Sequence, residues 1–208
     1  NAPYHLRAAA NFGEPLVPAP SYAVMDALLS LPSADAAAGW MPWIGASRLL
    51  TPEPVNSARL TAGKRALWEV SRVRGPVSLA YQLTLKDGAA LPEAWPPSPP
   101  NVARVPLSVR HEREDRFDVS GVGEGWAFVA EPRFPGWTTV LSVAAVERRV
   151  FPKPALGAFQ KVETPAGPWT LRWRYEPAPW RYGLLLACFS WIALAWSWYH
   201  RAVATGEA

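Results

Sequence analysis

The clearest pattern along the chain is a long apolar run near its C-terminal end. From Tyr182 to Tyr199 the sequence YGLLLACFSWIALAWSWY holds no charged residue, with Arg181 on one side and His200-Arg201 on the other. At about 1.5 Å per residue, a helix over this run spans roughly 27 Å, close to the hydrocarbon thickness of a bilayer. Trp180, Tyr182, Trp196, Trp198 and Tyr199 stand at its two ends and Trp191 lies within it. Amphipathic rings at both ends of an apolar stretch suit the two membrane interfaces. A buried helix of a soluble core seldom runs this long without a polar face, and the position is not that of a signal peptide. The run predicts a transmembrane helix over 180–200 with a short tail, 201–208. Its membrane-anchor and interface residues are Trp180, Arg181, Tyr182, Trp191, Trp196, Trp198, Tyr199 and His200.

Upstream the pattern changes from period to period. Residues 1–60 read as an irregular lead-in, where Pro3, Pro15, Pro18 and Pro20 stop early structure. Ser21 is placed to cap a short helix over Tyr22–Leu31, with Tyr22, Met25, Leu28 and Leu29 at helical spacing, and Pro32 ends it. Residues 61–178 then read as strands. Val77, Leu79, Tyr81, Leu83 and Leu85 alternate with smaller or polar residues, the period of two that a half-buried strand requires. Lys86-Asp87-Gly88 signals a turn. Ala103, Val105, Leu107 and Val109 alternate again, and Pro106 implies an edge position. A strand begins at Phe117 and Val119, Gly121–Gly125 reads as a hairpin turn, and Trp126–Ala130 reads as a strand buried on both faces. Further strands are predicted near 138–146, 148–151 and 158–163. The last, Trp169–Tyr175, sets Trp169, Leu171, Trp173 and Tyr175 on an apolar face opposite Thr170, Arg172 and Arg174. Short strands with frequent turns indicate a mainly β fold, an antiparallel β-sandwich of immunoglobulin or jelly-roll type. Pro177 and Pro179 stiffen the link to the apolar helix.

Composition sharpens this picture. The 208 residues include 23 prolines and 12 tryptophans. Proline on that scale disfavours long helices outside the C-terminal run. The net charge of +4 is mild, its bases are dispersed, and no nucleic-acid partner is expected. Cys188, the one cysteine, lies in the apolar run, so no intrachain disulfide forms. The start at Asn1 reads as a processed product or the tail of something longer.

Candidate chemistry is sparse. His5, His111 and His200 lie far apart, without the spacing of a metal site. The mixed run His111–Arg116 reads as a solvated loop, and Glu131 with Arg133 as corner residues. Gly121–Gly125 lacks the lysine and following helix of a phosphate loop. No nucleophile stands beside a base. The chain is therefore expected not to be an enzyme and to bind no cofactor or metal by itself. The tryptophans remain. Trp126, Trp169 and Trp173 are predicted core residues. Trp40, Trp43, Trp95, Phe134 and Trp137 are candidate docking residues, because aromatic side chains concentrate at binding hot spots.

From Phe128 onward the motifs resemble the C-terminal extracytoplasmic domain and last transmembrane helix of the YfhO-like bacterial membrane proteins, which are grouped with the GT-C glycosyltransferases. The resemblance rests on Phe128–Trp137 (FVAEPRFPGW), Gly157-Ala158-Phe159, Pro165-Ala166-Gly167, Leu171–Pro177 (LRWRYEP) and Trp180-Arg181-Tyr182-Gly183. A weaker match is Ile44–Leu50. The chain departs from that family at Val143–Arg149, where an Asp-Gly turn is usual, and at Leu156, where Asn is usual. The polytopic part that carries catalysis in GT-C enzymes has no counterpart, so no catalytic residue transfers. The resemblance implies a periplasmic sandwich on a bacterial inner membrane, with a cytoplasmic tail. Charge alone counts the other way, since Arg172, Arg174 and Arg181 precede the apolar run and only Arg201 follows.

The expectation is a non-catalytic, single-pass accessory subunit capping a larger membrane complex. A photosynthetic reaction-centre or light-harvesting assembly is the sharper expectation, and a respiratory complex is the other. Its partners would be integral membrane subunits and lipids, with bacteriochlorophyll or carotenoid in contact with the helix. The alternative is the C-terminal portion of a YfhO-like glycosyltransferase that assists glycan or polyprenyl-donor binding.

Overall fold

The structure, a computed structural model, describes residues 19–51, 55–65, 68–84, 91–113, 115–176 and 178–205. The His5 and Lys86-Asp87-Gly88 readings lie outside them.

The N-terminal part is more regular than the sequence pattern indicates. Helix α1 spans Ala19–Leu29 and α2 spans Ala34–Trp40. Ser21 lies inside α1 and does not cap it. Val24 and Met25 are the buried residues of α1, whereas Tyr22 and Leu29 of the expected stripe are exposed. The working cap is Ser33, which accepts a hydrogen bond from the Ala36 N–H at 3.2 Å and satisfies a free donor in the first turn of α2. A 3-10 turn over Met41–Ile44 follows and stops at Gly45, whose φ of 67° suits glycine. Next comes a small antiparallel sheet of β1 (Arg48–Thr51), β2 (Leu60–Thr61), β3 (Lys64–Arg65) and β4 (Trp68–Val73), in which β4 pairs with the other three. Ala38 and Met41 pack on Leu60 and Val73, which joins this sheet to α2.

The remaining strands are β5 (Ala80–Thr84), β6 (Ala103–Pro106), β7 (Ser108–Arg113), β8 (Arg116–Val122), β9 (Gly125–Val129), β10 (Trp137–Val143), β11 (Val146–Val150), β12 (Lys153–Ala155), β13 (Phe159–Thr164) and β14 (Pro168–Tyr175). They form two five-stranded antiparallel sheets, in the orders β11-β10-β14-β8-β7 and β12-β13-β9-β5-β6. The chain is therefore mainly β, as the strand pattern predicts. Between the sheets lie Phe117, Val119, Leu141, Trp169, Leu171 and Trp173 from the first, and Ala80, Ala127, Val129 and Val162 from the second. The second sheet is covered on its other face too. Tyr81, Leu83, Phe128 and Phe159 pack there against Val24, Trp40 and Trp43. Trp126–Ala130 is thus buried on both faces, as read.

Three readings of strand boundaries change. The stretch 103–109 is two strands, because β6 and β7 belong to different sheets and the chain crosses between them at Leu107. Pro106 does sit on an edge strand, where its missing N–H breaks no ladder. Gly121–Gly125 is not a hairpin turn: it carries the chain from β8 in one sheet to β9 in the other. The stretch 138–146 is broken by Ala144 and Ala145, which turn β10 into β11.

Helix α3, Ala178–Thr205, begins shortly after β14 ends. Its segment Tyr182–His200 is long and apolar enough to cross a membrane, and none of it is buried by the rest of the chain.

Candidate functional site

Two features stand out, an apolar helix and an arginine-lined cleft. The helix presents its rings outward. Tyr182, Trp191, Trp196, Trp198 and Tyr199 are all well over half exposed. His200 is exposed as well, its ring 4.7 Å from that of Trp196 and 5.9 Å from that of Tyr199. Trp180 and Arg181 belong to the same helix, but their side chains lie outside the described part. Large apolar residues exposed on every side of a helix are unfavourable in water, so this surface calls for lipid or protein around it. Cys188 is a free thiol on the same surface.

Two of the aromatic residues expected to dock on a partner turn inward instead. Trp40 and Trp43 are each 1% exposed, and their placement on a surface is corrected. Trp43 meets Phe128 edge-on at 5.5 Å, and Trp40 stacks on the half-buried Trp95 at 4.0 Å. The reason is that α1, α2 and the 3-10 turn lie on the second face of the β5–β9–β13 sheet, and these rings are the side chains that cover its apolar residues. Trp137 and Phe134 are half-buried. They gather around Tyr175 at the end of β14, with ring separations of 5.2 Å and 6.3 Å. The corner Glu131–Trp137 is therefore packed beside the last residues before α3, where the Glu176 N–H donates to Gly136 O at 2.8 Å. Of the predicted core tryptophans, Trp169 and Trp173 are buried, and Trp126 is half-buried.

A cleft of about 660 Å³ lies between α2, the small sheet and the segment leading into β6. Arg59, Arg74 and Arg104 line it, together with Gly39, Trp43 and Pro99. Arg104 stands on the edge strand β6 with its guanidinium 4.8 Å from the Trp43 ring and 5.5 Å from the Tyr81 ring. The negative ring faces hold the cation there. Burial lowers the Arg104 pKa from its ordinary value, and the nearby Tyr81 opposes that shift. Burial likewise raises the Tyr81 pKa, opposed by the Ser78 N–H that donates to its phenol oxygen at 2.8 Å and by Arg104. Arg74 Nε donates to Leu60 O at 3.1 Å. Arg59 lies over Gly39, where a Cβ would stand 2.8 Å from its Nη1, and it approaches Asp35 Oδ2 at 3.9 Å. Asp35 also accepts a short hydrogen bond from Ser57. Among the described residues, neither Arg74 nor Arg104 has a carboxylate within ion-pair distance. Sequence reading missed this constellation. Its three arginines come from two turns and an edge strand, and no spacing links them.

A buried amine lies elsewhere in the fold. Lys161 on β13 is 6% exposed, and its Nζ donates to Leu91 O at 2.6 Å. Lys153 and Lys161 both stand over the Trp126 ring, at 5.0 Å and 5.3 Å. Burial lowers the Lys161 pKa; Glu93 pulls it back up and Lys153 pushes it further down. The bond to Leu91 ties the segment 91–102 to the sheet. Among the described residues, no three of His, Cys, Asp or Glu stand together as metal ligands.

No family model, curated protein or solved structure matches this chain. The likeness to the YfhO-like proteins therefore stands on the quoted motifs alone.

Proposed function

We propose that this chain is a single-pass membrane subunit. In this reading α3 sits in the inner membrane, the β-rich body lies on the periplasmic side, and the helix packs beside a larger integral membrane complex. One observation carries the reading: Tyr182–His200 is apolar, ringed by tryptophan and tyrosine, and wholly uncovered by the rest of the chain. Lipid alone would cover such a helix. A protein or pigment partner is favoured by Trp191, which lies near the middle of the run and away from the interfaces where tryptophan normally sits. The body contributes shape more than chemistry, its largest aromatic side chains being spent on its own core.

Mild-detergent extraction of native membranes, followed by sizing and mass spectrometry, tests this. Co-migration with an integral membrane complex at fixed stoichiometry is expected, and the absorbance of that complex separates a photosynthetic from a respiratory partner. Migration of the chain alone would defeat the subunit reading. Protease protection in spheroplasts tests the side of the membrane: the body is expected to be cut in intact spheroplasts.

A further inference from the structure

The bases are dispersed along the chain, but the net surplus is not. Residues 48–75 contain Arg48, Arg59, Lys64, Arg65, Arg72 and Arg74 against Glu53 and Glu69, a surplus of four that equals the net charge of the whole chain. This segment builds the small sheet, and the sheet forms one wall of the cleft. Arg104 extends the positive charge across to the opposite wall. A concave site lined by one sign of charge focuses the field and concentrates counter-ions.

We infer that the Arg59–Arg74–Arg104 cleft is a binding site for a small anionic ligand bearing phosphate or carboxylate groups. Three features support this. The volume lies in the range of small-molecule sites, about 300–1,000 Å³. Arginine presents a planar fork of donors that fits phosphate and carboxylate oxygens in pairs. Arg104 is half-buried and held on two aromatic rings rather than on a carboxylate, so its charge is partly stripped of water without an anion to answer it among the described residues. Arg74 has one guanidinium nitrogen engaged with a backbone carbonyl, which aims the group without neutralising it. Gly39 adds a steric reason. A side chain there would collide with Arg59 and press on Pro99, so the bare α-carbon keeps that wall open. The inference goes beyond the anchoring role and holds whether or not that role does.

Isothermal titration of the full chain in detergent, at low salt, tests it with two probes, inorganic pyrophosphate and glucuronate. Saturable one-to-one binding of at least one probe is expected, and the tighter probe identifies phosphate or carboxylate as the recognised group. Arg104→Gln is expected to weaken binding at least tenfold, and so is the pair Arg59→Gln/Arg74→Gln. Arg133→Gln, at the corner before β10 and outside the cleft lining, is expected to bind as the wild type does. Should Arg104→Gln fail to fold, the exposed Arg59/Arg74 pair decides alone. Absence of saturable binding by both probes, or equal affinity in wild type and cleft variants, would overturn the inference.

Discussion

Ala144 and Ala145 form the two-residue loop between β10 and β11 with φ of 47° and 67°. Both central residues are left-handed, the arrangement of a type I′ turn, which asparagine and glycine adopt readily and alanine does not. A left-handed residue with a Cβ is disfavoured by about 1–2 kcal/mol. Replacement of the pair by Asn-Gly is therefore expected to raise the unfolding free energy by about 1 kcal/mol or more, read as a higher urea midpoint. An unchanged or lower midpoint would mean that the loop does not hold this conformation. Lys161 makes a second residue-level case. Burial lowers its pKa below 10.5, so between that lowered value and the ordinary one the unfolded chain binds more protons than the folded chain. Stability then rises with pH across this window. The increase is expected to be missing in Lys161→Met, and urea midpoints followed upward from neutral pH would show it. Parallel curves for the two proteins would contradict the assignment.

At the scale of elements, the sandwich is closed by strands that change sheets. Beside the β8–β9 crossing, Gly123 O accepts hydrogen bonds from Trp169 Nε1 at 3.0 Å and Thr164 Oγ1 at 3.3 Å, and the Gly123 N–H donates to Gly167 O at 2.9 Å. The neighbouring β13–β14 crossing is thereby held to it. Gly121 pairs with Trp169 across β8 and β14, and the indole occupies the space a side chain would need. A Cβ there would overlap the ring and come within 2.7 Å of Leu107 Cδ2. Gly121→Ala is expected to lower stability by about 1–3 kcal/mol, the usual cost of overpacking. A midpoint within error of wild type would show that the ring can move aside.

Across the whole molecule, the apolar clusters of the body draw on residues up to Trp173 and use none of the described side chains of α3. A chain ending at Glu176 is thus expected to fold, to unfold within a few degrees of the full chain in the same detergent, and to leave the membrane fraction on cell breakage. Retention of that shorter chain by membranes would show that the body holds the bilayer or a partner by itself. The cleft likewise exists only at this scale, because the small sheet, α2 and β6 are brought together from well-separated segments.

Local periodicity was sufficient for several features. The uncharged run named α3, alternation named the faces of β5 and β14, and the apolar run Trp126–Ala130 announced a strand covered on both sides. Each depends on interactions between near neighbours in the chain, so each is legible without the fold. Other features were decided by what lies opposite. Tyr81 and Leu83 were readable as the apolar face of β5, but only packing shows that this face meets the N-terminal helices while Ala80 faces the other sheet. Trp40 and Trp43 carry the composition of a docking patch and serve as core, because burial is set by whichever surface arrives to cover them. The Ala144-Ala145 turn has no turn residue to betray it; the pairing of β10 with β11 imposes its backbone. Arg59, Arg74 and Arg104 became one site for the same reason: distance in space, and not spacing along the chain, determines which charges share a cleft.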